Sequence, residues 1–262
     1  MPQVLIKVVI FLFGSLIGSF LNVCIYRMPR ENMSVGKPER SFCPHCNKQI
    51  LWYDNIPFLS YIFLGGKCRF CRGVITFRYF LVELLTASVL VILYNFFGLS
   101  AQFFVYSLLC CGLIISTFID FDFQIIPDEI TLGGLAAAVI LCLLFPGLHN
   151  TGSRITSGIQ CILGILAGGG SIYLIGKFGE IIFKKESMGG GDVKLMAMIG
   201  ALLGWKLVLL IFFIAPFFGA VVGIIAKIRK GAEVIPYGPY LSLATFLVLL
   251  WGKDILKYLF CF

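Results

Sequence analysis

The chain has 262 residues, of which 59% are hydrophobic and 13% charged, with a mean hydropathy of +0.98. Soluble domains carry roughly 25% charged residues, so this balance excludes a water-soluble globular enzyme and specifies a membrane protein. The net charge of +8 does not point to a nucleic-acid partner, because the basic residues are spread over three separate loops.

A helix needs about 20 mostly apolar residues to cross roughly 30 Å of hydrocarbon. Eight such stretches follow one another, near residues 4–26, 79–97, 101–119, 130–146, 155–178, 193–204, 206–226 and 237–252. The expected fold class is all-α integral membrane protein, with about eight transmembrane helices and a small cytoplasmic domain after the first. The expected division is 1–26 as the first transmembrane helix, 27–78 as a cytoplasmic domain and 79–262 as a polytopic domain.

The first apolar run is followed by its basic residues, Arg27 and Arg30, instead of being preceded by them, which is the reverse of a secretory signal. It reads as an uncleaved span with its N-terminus outside. That orientation puts 16 Lys or Arg on the cytoplasmic side against 5 outside, and so obeys the positive-inside rule. Lys185 and the Lys227–Lys230 cluster belong to the inner set.

The segment after the first span carries Cys43-Pro-His-Cys46 and Cys68-Arg-Phe-Cys71, separated by 21 residues. It is too short to bury a large apolar core and needs a staple. Two C-x-x-C turns can converge on one tetrahedral zinc through Cys43, Cys46, Cys68 and Cys71. Disulfides compete with this reading, but the topology places the loop in a reducing compartment. His45 is expected to be a bystander. A closed four-thiolate shell has no position for a reactive water, so the expected metal is structural. The other cysteines, Cys24, Cys110, Cys111, Cys142, Cys161 and Cys261, lie in or beside apolar runs and read as small hydrophobes.

Glycines four residues apart, at Gly14 and Gly18, Gly164 and Gly168, and Gly200 and Gly204, mark close helix crossings. The sixth stretch is short, and is expected either to cross the bilayer or to dip into it.

Acidic residues at the edge of spans are costly and each needs a reason. Asp120 and Asp122 close the third span, with Asp128 shortly after, and Asp192 follows Gly189-Gly190-Gly191 where the sixth begins. Both clusters fall on the cytoplasmic side at similar depth. Two carboxylates that meet there share a proton, giving an acid and a base from one residue type. Helix ends suggest that Asp192, at an N-terminus, is the ionised partner and Asp120, at a C-terminus, the protonated one. The plain alternative makes the glycine run a turn with Asp192 as its N-cap. Gly189, Gly190, Gly191 and Lys194 are candidates for contacting substrate, and Lys194 is otherwise a solvated residue or a positioner of a carboxylate.

The stretches GSFLNVCIYRMP from Gly18, IDFDFQIIPDEIT from Ile119, GGGDVKLMAMIGALLGW from Gly189 and IPYGPYLSLA from Ile235, with the two cysteine pairs, resemble the type IV prepilin peptidases. The resemblance implies that Asp120 and Asp192 are catalytic. It also implies that the substrates are prepilin or pseudopilin precursors, cut after a glycine at the cytoplasmic face of a bacterial inner membrane. Members with both cysteine pairs generally also N-methylate the product with S-adenosylmethionine, so that activity is expected too. A transporter or channel with buried carboxylates is the competing class, and would need acids near the midplane and repeat symmetry. A non-enzymatic assembly factor and a protease cutting deeper in the bilayer are further alternatives.

Overall fold

The computed structural model describes residues 2–38, 40–184, 188–230 and 236–260. Expectations involving Lys185, Ile235 and Cys261 fall outside these residues. The described chain is helical and holds isolated bridges but no β-sheet. It separates into two compact units, Met1–Leu99 and Ser100–Phe262.

In the first unit, α1 (Pro2–Arg27) packs along α3 (Arg78–Phe97). The contact runs backbone to backbone: a Cβ on Gly14 would sit 2.7 Å from Ala87 Cα, and one on Gly18 would sit 2.7 Å from Glu83 Cα. The intervening segment holds a 3-10 turn, Trp52–Asn55, and one short helix, α2 (Leu59–Phe63). It is tied to the end of α1 by Arg27. This guanidinium is buried and donates to the carbonyls of Val35 at 2.8 Å, Pro38 at 2.6 Å and Arg40 at 3.2 Å. A buried cation is tolerable because those carbonyls replace its water.

The second unit contains α4 (Ala101–Phe123), α5 (Asp128–Leu144), α6 (Arg154–Phe183), α7 (Gly190–Leu203), α8 (Trp205–Lys230) and α9 (Gly238–Phe260). Among the described residues, six helices are long and apolar enough to cross a membrane: α1, α3, α4, α6, α8 and α9. The remaining two of the eight expected stretches are α5, with 17 residues or about 26 Å, and α7, with 14 residues or about 21 Å. The short seventh helix is the centre of the unit. It packs against α5, α6, α8 and α9, and every residue from Leu195 to Leu203 is buried. Apolar side chains such as Leu5 on α1 and Phe213 on α8, 66% and 64% exposed, face outward. Such surfaces fit hydrocarbon and not water.

The third expected span continues four residues past 119, so Asp120 and Asp122 lie inside α4 and not in the connection after it. Gln124 then adopts the left-handed conformation, its N–H returns to the Asp120 carbonyl at 3.0 Å, and Pro127 prevents further helix.

Helices α6 and α7 cross at the expected glycines. A Cβ on Gly164 would lie 1.9 Å from the Gly200 carbonyl oxygen, one on Gly200 would lie 2.1 Å from that of Gly164, and one on Gly168 would lie 2.3 Å from that of Met196. Small residues admit this approach, and dispersion between the two backbones holds it. Gly200→Val should force the crossing apart at a cost of at least about 3 kcal/mol. The expected result is a large drop in thermal midpoint, measured by intrinsic fluorescence in detergent. Gly133→Ala on α5, where the added methyl meets nothing within 4 Å, should leave the midpoint nearly unchanged.

Candidate active site

At one end of the second unit, three chain segments bring polar groups together. Asp120 lies one turn before the end of α4 and is 6% exposed; its Oδ2 accepts the N–H of Gly238, the first residue of α9, at 2.9 Å. The approach requires glycine, since a Cβ on Gly238 would stand 2.7 Å from that oxygen. Asp192 is the third residue of α7, with Gly189 as the N-cap, and is 9% exposed. Its own N–H bonds the Gly189 carbonyl at 3.1 Å.

Asp192 is close enough to Asp120 and to Tyr237 for their charges to interact. Ile126 sits where α4 turns into α5 and fills the space between the flanking glycines. A Cβ on Gly191 would be 3.0 Å from Ile126 Cβ, and one on Gly238 would be 3.4 Å from its Cδ1. The glycines therefore let α7 and α9 close on the α4–α5 corner, against the same side chain, Ile126.

The two carboxylates differ in hydrogen bonding. The Asp120 carboxylate has a backbone donor, whereas Oδ1 of Asp192 is buried with no hydrogen-bond partner among the described residues. A donor to the charged form favours ionisation, and an orphaned oxygen in a dry site disfavours it. The N-terminus of α7 acts the other way on Asp192, but a helix end contributes about 0.3–1 kcal/mol against about 1.5–3 for a hydrogen bond to a charged group.

The neighbouring acids are placed differently. Asp122 is exposed. Asp128, in the first turn of α5, pairs with Lys194 of α7 at 2.7 Å, the two side chains being 57% and 40% exposed. Lys194 thereby bridges two helix starts. An exposed pair of this kind is worth about 1 kcal/mol at most, so it sets register more than stability. Of the glycine candidates, Gly191 packs on Ile126, Gly189 lies beside the Asp192 carboxylate, and a Cβ on Gly190 would meet nothing within 4 Å.

Sequence reasoning did not assign Gly238, Tyr237 or Ile126 to the site. The available signal was the Tyr-Gly-Pro-Tyr run at the start of an apolar stretch, a place where backbone can come close to another group.

In the first unit, the four cysteines converge. Their sulfurs all lie within 4.8 Å of one another, and Cys43 Sγ and Cys71 Sγ are 3.8 Å apart. Tetrahedral coordination at 2.3 Å per bond requires sulfurs about 3.8 Å apart, so the cluster can hold a metal. The two turns are alike. Cys43 N–H bonds the Lys48 carbonyl and Cys68 N–H that of Gly73, while Asn47 and Arg72 each take positive φ four residues after the first cysteine. The N–H groups of Cys71 and Phe70 aim at the Cys68 sulfur and favour its thiolate, while the neighbouring sulfurs push the Cys71 thiol the other way. His45 bonds the Val74 carbonyl at 3.2 Å.

Comparison with known proteins identifies the family. The model of the Bacterial Peptidase A24 N-terminal domain matches residues 12–97, and that of the Type IV leader peptidase family matches residues 107–224. A prepilin leader peptidase/N-methyltransferase of Aeromonas hydrophila is 35% identical, over 95% of this chain and 92% of that protein. One of Pseudomonas aeruginosa is 35% identical over 94% and 90%, and one of Myxococcus xanthus is 37% identical over 87% and 65%. No solved structure matches the chain. With one model covering the first unit, a second covering most of the other and such identities over nearly the full length, the chain belongs to the type IV leader peptidase family.

Proposed function

We propose that the chain is a membrane aspartyl endopeptidase that removes the short leader of prepilin-like precursors after glycine, with Asp120 and Asp192 as its catalytic carboxylates, and that it N-methylates the new N-terminus. The observation that carries this reading is the pair of buried carboxylates at the C-terminal end of α4 and the N-terminal end of α7, where Gly191 and Gly238 allow close approach.

In the free enzyme Asp120 is the carboxylate and Asp192 holds the proton, the reverse of the helix-end expectation, because the Gly238 N–H satisfies Asp120 and Oδ1 of Asp192 lacks a donor. Asp120 takes a proton from the attacking water while the acid form of Asp192 polarises the scissile carbonyl. As the tetrahedral centre collapses, a proton passes to the leaving amine. The pair titrates as a unit, so each turnover returns one shared proton.

The active end faces the cytoplasm in this reading. The excess of Lys and Arg on the loops at that end supports the orientation, and it sets the acids at the depth where the leader of an inserted precursor meets its apolar helix. The bilayer is the bacterial inner membrane. The transporter reading is weaker because both acids lie at helix ends. Zinc is the metal that best suits four thiolates at these separations; in this role it fixes the loop's two turns and leaves peptide hydrolysis to the aspartates.

Asp120→Asn and Asp192→Asn should each leave a folded protein and reduce precursor cleavage by at least about 10⁴-fold, read by mass spectrometry of the product N-terminus. Mature subunit at wild-type levels from either variant would remove the peptidase reading. Gly238→Ala should displace the Asp120 carboxylate and lower kcat by about 10²-fold with little change in thermal midpoint. Metal analysis of the purified protein should give one zinc per chain. Cys43→Ala should lose it and speed tryptic cleavage at Lys48 and Lys67, measured by timed digestion.

A further inference from the structure

Between the two cysteine pairs, residues 55–66 carry no charged side chain. The middle of this stretch lies far along α1 from Arg27. Gly18 of α1 meets Glu83 of α3, and Oε2 of Glu83 accepts the N–H of Phe58 at 3.0 Å. Gly18 precedes Arg27 by nine residues, or about 13 Å along the helix. Asn55 lines a recess with Leu16 and Ser19 of α1, and the Phe58 ring stacks at 5.8 Å on that of Phe11, further again from Arg27. Helix α1 is uncharged between Lys7 and Arg27, a length of about 30 Å, which is the thickness of the hydrocarbon. A segment beside Phe11, Leu16 and Gly18 is therefore level with acyl chains and not with headgroups.

The short helix α2 has two faces. Leu59, Ile62 and Phe63 share one of them at helical spacing, and each is more than half exposed. Phe58 and Tyr61 take the other: Phe58 packs edge-on against Phe80 at 5.3 Å, and the Tyr61 hydroxyl donates to the Ile75 carbonyl at 3.3 Å. Leu16 and Phe20, which line the recess beside Asn55, are exposed apolar side chains of α1, so the segment continues the outward surface of that helix.

Irregular backbone survives at such depth only if its polar groups are answered. The Leu59 N–H bonds the Pro57 carbonyl at 2.6 Å, the Ser60 N–H that of Ile56 at 3.2 Å, and the Ile62 N–H that of Phe58 at 3.0 Å. The Ser60 hydroxyl returns to the Ile56 carbonyl at 2.7 Å, and Pro57 has no N–H to answer. At Phe58, whose φ of +61° turns the chain into α2, the acceptor comes from outside the segment, on Glu83. The Ser19 hydroxyl donates to the same carboxylate, which ties the turn to both α1 and α3.

We propose that residues 55–63 form an elbow that re-enters the bilayer beside α1 and α3, with lipid acyl chains against Leu59, Ile62 and Phe63, and with Glu83 as the clasp that holds it there. The two parts of the loop then lie at different depths. The cysteine turns, with Lys48, Lys67, Arg69 and Arg72 around them, stay in water, and the elbow pins them to the membrane surface.

The test is fluorescence of the full-length protein with Trp52, Trp205 and Trp251 replaced by Phe and one tryptophan returned at a chosen position. In vesicles of phosphatidylcholine brominated on its acyl chains, Leu59→Trp and Ile62→Trp should each lose about half of their emission or more, while aqueous iodide has little effect. Phe70→Trp, at a ring that lies 5.1 Å from the Lys48 ammonium, should respond to iodide and not to bromine. A thermal midpoint near that of wild type shows which variants are folded, and either elbow probe suffices if the other lowers it. Glu83→Leu, added to Leu59→Trp, should raise iodide quenching several-fold; Glu83→Gln, which keeps an acceptor for the Phe58 N–H, should not. Iodide quenching of the elbow probes without Glu83→Leu puts the elbow in water and overturns the proposal. Shielding from iodide and bromine alike shows that protein, a second copy or another partner, covers this face, and overturns it too. A probe that Glu83→Leu does not move overturns the role given to Glu83.

Discussion

The bond from the Gly238 N–H to the Asp120 carboxylate joins residues 118 positions apart, and much of the second unit is arranged to permit it. A carboxylate buried at the end of a membrane helix has no water to fall back on, so a protein donor must reach it. Backbone can come that close only if the arriving residue lacks a side chain. The same condition recurs at Gly191 against Ile126 and at Gly164 against Gly200, where whole helices approach until backbone touches backbone. Removing side chains at a few positions is how this sequence lets α7 and α9 close on the corner between α4 and α5, where the two acids lie.

The same economy explains the short α7. A helix of 14 residues cannot cross the bilayer unaided, yet it is surrounded on all sides by α5, α6, α8 and α9 and exposes almost nothing. Its start, with Asp192, is therefore held by protein neighbours beside the α4–α5 corner. Lys194 and Asp128 add a register mark at the mouth.

Much of the fold was legible because apolar length and glycine spacing are local signals. All eight apolar stretches became helices, and the cysteine pairs converged as two similar turns. The aspartates could be named from their position at span ends and from the motifs around them. What could not be read was which group answers each buried charge. Gly238 is a lone glycine in a Tyr-Gly-Pro-Tyr run, and nothing nearby says that its N–H meets Asp120. Glu83 reads as one acid in an apolar helix until Phe58, distant in sequence, is seen to donate to it. The proposed proton assignment reverses the helix-end expectation for the same reason: helix ends are visible in a sequence, and hydrogen bonds across 118 positions are not. The end of α4 was set too early because apolar composition stops at residue 119 while helix geometry continues to Phe123.

The central claim is that Asp120 and Asp192 occupy one site. It is tested most directly by placing cysteines at both positions, in a chain stripped of its other membrane cysteines but keeping the four metal ligands, and bridging them with a short bifunctional thiol reagent in native membranes. A protease site engineered into the connection between α6 and α7 then reports whether the halves stay joined. The account predicts that they remain linked after cleavage, with either single-cysteine variant falling apart. Halves that separate although each cysteine is labelled by a monofunctional reagent would show that the carboxylates do not meet.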